Sequence, residues 1–249
     1  MTDYPPAQPL AKRTTRTVQD QIKQLILDRH LRSGEPLPTE AELIDALGVS
    51  RNSIREALKA LQALDIVEIR HGYGTYVGRG SLDPLTDGLT FRALQALRDD
   101  LQGIRELLDV RETLEAGLIR RSVTMMADAD IEALDRVVGN MERHAREGSH
   151  FPDQDKRFHE LLYLPLGNTL VVQLLHAFWD VFHRVSPKLP GSESDPTSVA
   201  HWHRSIVQAL WERDANRTED ALREHFREIN LRVSRAASAN GADEHVDGS

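Results

Sequence analysis

Cysteine is absent from this 249-residue sequence. Without a thiol the chain has no disulfide scaffold, no thiolate metal site and no cysteine nucleophile. No apolar run approaches the roughly 18 residues that span a bilayer, so a transmembrane protein is not expected. Residues 1–16 also lack the apolar segment of a secretory signal. We therefore expect a cytoplasmic protein that has no membrane partner.

Charge is distributed unevenly along the chain. The net charge is −8, but residues 1–80 hold 11 Lys and Arg against 10 Asp and Glu, whereas residues 81–249 hold 20 against 29. This asymmetry indicates two domains with different partners. Apolar residues make up 40% of the chain, which is enough to form packed cores.

The first eighty residues begin with the pattern of three helices. The composition of residues 1–16 predicts a flexible basic arm. Thr17 is predicted to cap the start of the first helix. The spacing of Thr39 and Glu42, three residues apart, predicts a capping box at the start of a short second helix. After a Gly-Val turn, Ser50 caps a third helix with one apolar face. This order is typical of a helix-turn-helix, in which the second helix of the pair enters the major groove of DNA.

The segment after the third helix predicts a wing. Residues 67–69 and 75–77 lie on either side of a glycine-rich turn, which predicts a two-stranded hairpin. The glycines let the backbone and His71 approach the minor groove or the phosphates. We therefore predict a winged helix-turn-helix DNA-binding domain over residues 17–78. A linker and a connecting helix follow over residues 79–99.

The exposed face of the third helix has the chemistry of a DNA-reading surface. Arg51, Arg55 and Lys59 recur every four residues and form one stripe, with Asn52 beside it. Arginine can bond the guanine edge in bidentate fashion, and lysine or asparagine can hold phosphates or other base edges. An isolated basic stripe is more often a solvated helix face, but here the turn, the wing and the stripe agree. Since one recognition helix reads one half-site, a homodimer on a palindromic double-stranded DNA operator is expected.

The rest of the chain has helical periodicity and few strand signals. We predict helices near residues 86–97, 100–122, 129–147, 153–164, 168–185, 198–213 and 218–237. Residues 100–237 then form an effector-binding and dimerisation domain, and residues 238–249 form a disordered tail. The predicted fold class is mainly α, with an N-terminal winged helix-turn-helix and a C-terminal all-α helical bundle.

Four residues of the bundle have the chemistry of metal ligands. Asp155 and His159 lie one turn apart on one predicted helix, and His203 and His225 lie on two later helices. One carboxylate and three imidazoles suit a divalent transition metal, zinc first and nickel, cobalt or manganese as alternatives, with a coordination position left open. From spacing alone, a surface ion pair between Asp155 and His159 remains the alternative, because the sequence does not show that three helices converge. His201 is expected to point elsewhere, at the surface.

The N-terminal part of the chain resembles the DNA-binding domain of the GntR family of bacterial regulators. The resemblance rests on LPTEAELIDALGVSRNSIREALKALQALDIVEIRHGYGTYV and covers residues 15–78. It implies DNA contacts from the start of the third helix and from the wing tip, by Ser50, Arg51, Asn52, Arg55, His71 and Gly72. Many members have a base-contacting arginine where this chain has Ala41. We therefore expect an altered base preference at that operator position.

The bundle is similar to the FCD domain of the FadR-like subgroup, over about residues 100–235. In the metal-binding members of that subgroup, the four positions named above are the ligands. Arg111, in DVRETLE, matches an arginine that faces the effector cavity, and the alternative is a salt bridge with Glu112 or Glu115. An arginine beside a metal favours a carboxylate ligand. The resemblance thus implies a transcription regulator, by family expectation a repressor, that responds to a small organic acid and is not an enzyme.

Two other functions stay open at this stage. In a metal-sensing regulator the ion itself would be the signal. In a metalloenzyme joined to a DNA-binding domain, the open coordination position would activate water. The sequence has no general base of the HExxH kind, which argues against the enzyme.

Overall fold

The structure is a computed structural model. It describes residues 10–97, 101–189 and 195–243, and the side chains of residues 18–97, 101–189 and 195–237. The chain divides into two compact units, Met1–Pro84 and Leu85–Ser249. Each unit has its own cluster of buried apolar side chains. The two units are described separately.

The N-terminal unit contains three helices and a hairpin: α1 Leu10–Asp28, α2 Glu40–Leu47, α3 Arg51–Gln62, β1 Val67–Arg70 and β2 Gly74–Val77. The two strands are antiparallel, with Val67 opposite Val77. A short extended segment pairs with the other edge of β2, because the Leu37 N–H donates to the Thr75 carbonyl at 2.8 Å. The predicted winged helix-turn-helix is confirmed.

Local hydrogen bonds explain the geometry of the helix-turn-helix. The Glu42 carboxylate accepts from the Thr39 N–H at 2.7 Å, and the Thr39 hydroxyl accepts from the Glu42 N–H at 3.3 Å, which is the predicted capping box. Gly48 ends α2 with φ of +64°, a left-handed conformation that is least costly for glycine. The Ser50 hydroxyl accepts from the Ser53 N–H at 3.2 Å and begins α3. The turn is therefore specified by residues at its two ends.

The first helix begins earlier than predicted. Because α1 starts at Leu10 rather than after Thr17, the prediction of a flexible arm is wrong for residues 10–16. Residues 1–9 lie outside the described residues. Prolines occur at positions 5, 6 and 9, and the segment that follows contains neither proline nor glycine. The helix therefore begins directly after the last residue that would break it.

Seven further helices follow: α4 Asp83–Ala96, α5 Gln102–Met125, α6 Asp128–Arg146, α7 Pro152–Tyr163, α8 Thr169–Val185, α9 Pro196–Trp211 and α10 Ala215–Asp243. Each corresponds to a predicted helix, so the mainly α fold class is confirmed. Helix α10 packs against both α5 and α9, and α7 packs against α5, α6 and α8. The core between them contains Phe158, Tyr163 and Phe226, which are fully buried.

The last helix extends into the predicted tail. Helix α10 continues to Asp243, so the prediction of disorder is wrong for residues 238–243. Residues 244–249 lie outside the described part of the chain. The apolar stripe of α10 ends near residue 237, but no proline interrupts residues 238–243, and alanine at positions 239 and 242 is compatible with the helix. None of the described helices is both long and apolar enough to cross a membrane.

Candidate metal centre and nucleic-acid interface

Three helices of the C-terminal unit bring one carboxylate and three imidazoles together. Asp155 and His159 project from α7, His203 from α9 and His225 from α10, and one ligand atom of each lies within 4.8 Å of the others. The three histidines are no more than 4% exposed. His201, in contrast, is exposed. The structure thus brings the four predicted ligands to one point and leaves the neighbouring histidine at the surface.

Hydrogen bonds at Nδ1 show which atoms of the rings face the centre. Nδ1 of His159 lies 2.8 Å from a carboxylate oxygen of Glu115, and Nδ1 of His203 lies 2.8 Å from the carbonyl oxygen of Val199. Both oxygens can only accept, so both Nδ1 atoms carry the proton and donate. In a neutral imidazole the Nε2 atom is then an unprotonated acceptor. Both rings therefore turn a lone pair toward the centre.

Four buried polar atoms at the centre have no hydrogen-bond partner among the described residues: Oδ1 of Asp155 and the Nε2 atoms of His159, His203 and His225. The Nε2 atom of His203 lies only 2.8 Å from that Oδ1 atom, although both are acceptors. Each unpaired buried group costs about 1–3 kcal/mol. A cation between these atoms would satisfy all four at once. The donor set therefore fits a metal ion.

Electrostatics favours the protonation states that metal ligation requires. Burial lowers the pKa of His225 well below its ordinary value. Burial opposes ionisation of Asp155, but the hydrogen bond with His183 acts against it, and the pKa of that carboxyl lies well below its usual range. Neutral imidazoles and an ionised carboxylate are the ligating forms.

A buried ion pair lies behind His159. Nε of Arg111 donates to Glu115 at 2.7 Å, and the two side chains are 2% and 0% exposed. Burial raises the pKa of Glu115, but His159 and Arg111 outweigh it and lower that pKa to about 2. The Tyr163 hydroxyl donates to the backbone carbonyl of Glu115 at 3.1 Å. The salt bridge considered for Arg111 is therefore present, and its partner is Glu115 rather than Glu112.

The second oxygen of Asp155 is held by residues that the sequence analysis did not identify. Nε1 of Trp179 donates to Oδ2 of Asp155 at 3.1 Å, and Nε2 of His183 lies 3.2 Å from the same atom. The two rings stack, with centroids 3.6 Å apart. Both residues lie four positions apart on α8, the same spacing as Asp155 and His159. That repeated spacing is the signal that could have identified them.

A cavity of about 790 Å³ opens beside the centre. Asp155 and His225 form part of its wall, and Arg111 lies in the wall as well. The other polar groups of the lining are His150, His183, Ser186, Glu228 and Arg232, and the rest includes Phe151, Phe182, Trp202 and Ile229. An apolar wall with a few polar groups is typical of a small-molecule site. The candidate metal centre and a ligand-sized space are therefore adjacent.

The predicted DNA-contacting residues all lie at the surface of the N-terminal unit. Helix α3 buries Ile54, Ala57, Leu58 and Leu61. Its opposite face and the wing tip expose Ser50, Arg51, Asn52, Arg55, Lys59, His71 and Gly72. The basic side chains have acidic neighbours, since Nζ of Lys59 lies 3.0 Å from Glu56 and Nε of Arg55 lies 3.8 Å from Glu40. These exposed pairs are weak, so they leave the cations available to phosphates and bases.

Two family models match this chain, one in each of its two units. The model of the bacterial regulatory proteins of the gntR family matches residues 14–77, and the FCD domain model matches residues 106–228. The HTH-type transcriptional repressor NanR of Citrobacter rodentium is 30% identical over 89% of this chain and 86% of its own.

Two further relatives are similar along most of their length. An uncharacterized HTH-type transcriptional regulator of Bacillus subtilis, YcbG, is 26% identical over 89% of this chain and 91% of its own. The solved structure of Streptococcus agalactiae GntR is 27% identical, covers 89% of this chain and 99% of its own, and superposes with a TM-score of 0.61. The chain therefore belongs to the gntR family of bacterial regulatory proteins and carries an FCD domain after its DNA-binding domain.

Proposed function

We propose that this protein is a transcription repressor that binds a palindromic operator as a homodimer and is released by a small organic acid bound at a metal site. The observation that carries the proposal is the set of four unpaired buried ligand atoms beside a cavity, in a chain that begins with a gntR domain. Relatives that are named repressors support repression, rather than activation, of the target genes.

Asp155, His159, His203 and His225 would hold one divalent transition metal. Three imidazole nitrogens and one carboxylate oxygen suit zinc best, with nickel, cobalt or manganese as alternatives. The Nδ1 hydrogen bonds of His159 and His203 hold their rings in the ligating orientation. When bound, the ion would supply a positive charge and an open coordination position for a carboxylate.

The effector would bind in the adjacent cavity. Arg111 uses Nε to bind Glu115 and also lines the cavity, so its terminal nitrogens would serve as donors to a ligand. A guanidinium and a metal on the same side of a cavity select an anionic group, because both provide positive charge to a carboxylate. The apolar wall would then contact the carbon skeleton of the acid.

Two features of the site favour binding over catalysis or metal sensing. Glu115 is fully buried and bonded to both Arg111 and His159, with a pKa of about 2. Such a carboxylate is unsuited to be the general base of a hydrolytic reaction at neutral pH. A cavity of about 790 Å³ is likewise unnecessary in a protein that senses only an ion. We therefore propose a regulator without catalytic activity.

Release from DNA would follow from a shift between two arrangements of the dimer. An acid that binds one arrangement more tightly raises its population, and it can change DNA affinity only by that difference in binding free energy. A change in the spacing of the two recognition helices would then separate one of them from its half-site.

DNA binding by the metal-loaded full-length protein tests the interface. The operator would first be selected from a pool of random DNA duplexes. The affinity of the protein for this operator would then be measured by fluorescence anisotropy. Arg51→Ala and Arg55→Ala should each cost about 1–3 kcal/mol if the side chain reads a base. Lys59→Ala should weaken binding to all sequences alike and reduce its salt dependence. Arg136→Ala, which removes an exposed arginine of α6, is the matched control. Unchanged affinity of the Arg51→Ala, Arg55→Ala double variant would place the interface elsewhere.

The response to organic acids tests the regulatory part of the proposal. Carboxylic acids added to the metal-loaded complex should release the DNA, and the same acids should have no effect on protein stripped with EDTA. Release by EDTA alone, with no response to any acid, would indicate a metal sensor instead. Conversion of an added acid to a product would indicate an enzyme.

A further inference from the structure

Arg232 is a second arginine in the wall of the cavity, apart from Arg111. It lies on α10 seven residues after His225, so the two Cα atoms are about 10 Å apart along the helix axis. Seven residues are close to two full helical turns, which puts both side chains on the same face. Glu228 and Ile229 lie between them on that face and also line the cavity. Arg232 thus lies at a distance from the metal centre, within the same cavity.

The guanidinium of Arg232 is half-buried and has few partners among the described residues. Nη2 donates to the Ser186 hydroxyl at 3.4 Å, a long bond. Its Nε is buried and has no hydrogen-bond partner within the described part of the chain. Burial lowers the pKa of Arg232, against the opposing effect of Glu228 and Asp155. An arginine nevertheless stays charged in proteins, so a half-buried guanidinium whose Nε atom has no partner is available to bind an anion.

Glu228 does not supply the missing partner. It lies one turn before Arg232 and is half-buried, but no ion pair joins the two among the residues whose side chains are described. Its carboxylate also lines the cavity, where it can accept from a hydroxyl or an amine. Because Arg232 also lines the cavity, an anionic molecule there could pair with its guanidinium.

We propose that Arg232 binds a second anionic group of the effector, so that the effector is a small di-acid rather than a monocarboxylic acid. One carboxylate would bind at the metal centre and Arg111, and the other would bind the guanidinium of Arg232. Both side chains lean toward the helix N-terminus, but that of Arg232 is the longer, so its guanidinium lies no more than about 10 Å from the metal centre along the helix axis. That span suits an acid of about four to six carbons. This inference rests on the proposed function, because the first carboxylate needs the metal centre.

Matched pairs of acids test the inference by isothermal titration calorimetry with the zinc-loaded full-length protein. Succinate is compared with succinamate and glutarate with glutaramate, because each pair has the same carbon chain and differs in the charge of one end. Wild type should bind the better di-acid at least about tenfold more tightly than its monoamide. Arg232→Met should remove this difference and leave the affinity for the monoamide within about twofold.

Two further variants complete the design. Arg235→Met removes an exposed arginine from the same helix and should leave both affinities unchanged. Arg232→Lys keeps the charge without the bidentate geometry and should retain part of the preference. If thermal melting shows that Arg232→Met does not fold, Arg232→Lys is used in its place.

The outcomes separate the two proposals. Equal preference for the di-acid in wild type and Arg232→Met, or no preference in wild type, would overturn the role of Arg232. A protein that binds neither di-acids nor monoamides when it holds zinc would instead overturn the proposed acid site.

Discussion

Replacing Glu115 with glutamine tests how the buried ion pair supports the metal centre. In the structure one carboxylate accepts from Nε of Arg111 and from Nδ1 of His159. A glutamine amide has one accepting oxygen and one donating nitrogen. It can satisfy only one of the two donors and meets the other with a donor of its own. Glu115→Gln should therefore leave a buried guanidinium without its anion or turn the His159 ring away from the centre.

The size of this loss follows both from the pKa shift of Glu115 and from the usual cost of breaking a buried ion pair. Folding lowers the pKa of Glu115 from 4.5 to about 2, and at about 1.4 kcal/mol per pKa unit this corresponds to about 3–4 kcal/mol. Removing one member of a buried ion pair costs about 3–5 kcal/mol. We therefore expect the free energy of unfolding of the metal-free protein to fall by about 3 kcal/mol. Zinc affinity should fall by about 10–100-fold, because His159 loses the partner that orients it.

Tryptophan fluorescence isolates the relevant unfolding transition, because all three tryptophans lie in the C-terminal unit: Trp179, Trp202 and Trp211. Urea titration in EDTA then gives the free energy of unfolding of that unit without metal. Glu112→Gln is the matched control on the same helix. Its carboxylate is 23% exposed, and an oxygen of it lies 3.6 Å from Arg223. That loose, partly solvated pair should be worth less than about 1 kcal/mol.

The pH dependence provides a second measurement. Since the pKa of Glu115 is lower in the folded state, the unfolded chain binds more protons, and the stabilisation is complete above pH 4.5. It is lost as the pH falls from 4.5 toward about 2. The difference in stability between wild type and Glu115→Gln should therefore shrink over that window. Equal stability of Glu115→Gln and Glu112→Gln at pH 7, with equal zinc affinity, would refute the reasoning.

Two further pairs of variants test other parts of the chain. His203→Ala should lose the bound metal in elemental analysis of the purified protein, whereas His201→Ala, at the surface, should keep it; equal metal content would contradict the proposed ligand set. A Cβ atom at Gly78 would overlap the backbone carbonyl oxygen of Asp65, so Gly78→Ala should destabilise the N-terminal unit by about 1–3 kcal/mol in calorimetry. Gly88→Ala places its Cβ in open space within α4 and should be neutral or stabilising by up to about 1 kcal/mol. Equal losses of stability in the two variants would contradict the steric explanation.

The winged helix could be predicted closely because its signals are local. Thr39 and Glu42 lie three residues apart, and Ser50 lies directly before the helix that it caps, so each interaction is visible in a short stretch of sequence. The errors lay at the ends of α1 and α10. There the composition of residues 10–16 and 238–243 indicated an arm and a tail, but both stretches continue a helix. Polar composition alone does not exclude a helix.

The candidate metal centre could be predicted only in part from spacing. Asp155 and His159 share a helix face, but their meeting with His203 and His225 depends on how α7, α9 and α10 pack, and the resemblance to a known domain supplied that information. Glu115 lies 44 residues before the histidine that it orients. No periodic pattern links positions so far apart on different helices. The residues that position ligands are therefore harder to find from sequence than the ligands.

The spread of the ligands along the sequence has a consequence for the unfolded chain. Ligands at residues 155 and 225 would close a loop of about seventy residues when an ion is bound, and in the chain-entropy treatment of cross-links this stabilises the fold by about 4 kcal/mol. A disulfide would act in the same way, but this chain has no cysteine. A metal cross-link needs no oxidant and opens again when protons or chelators compete for the ligands. The rigidity of the helical unit would then follow the free metal concentration around it.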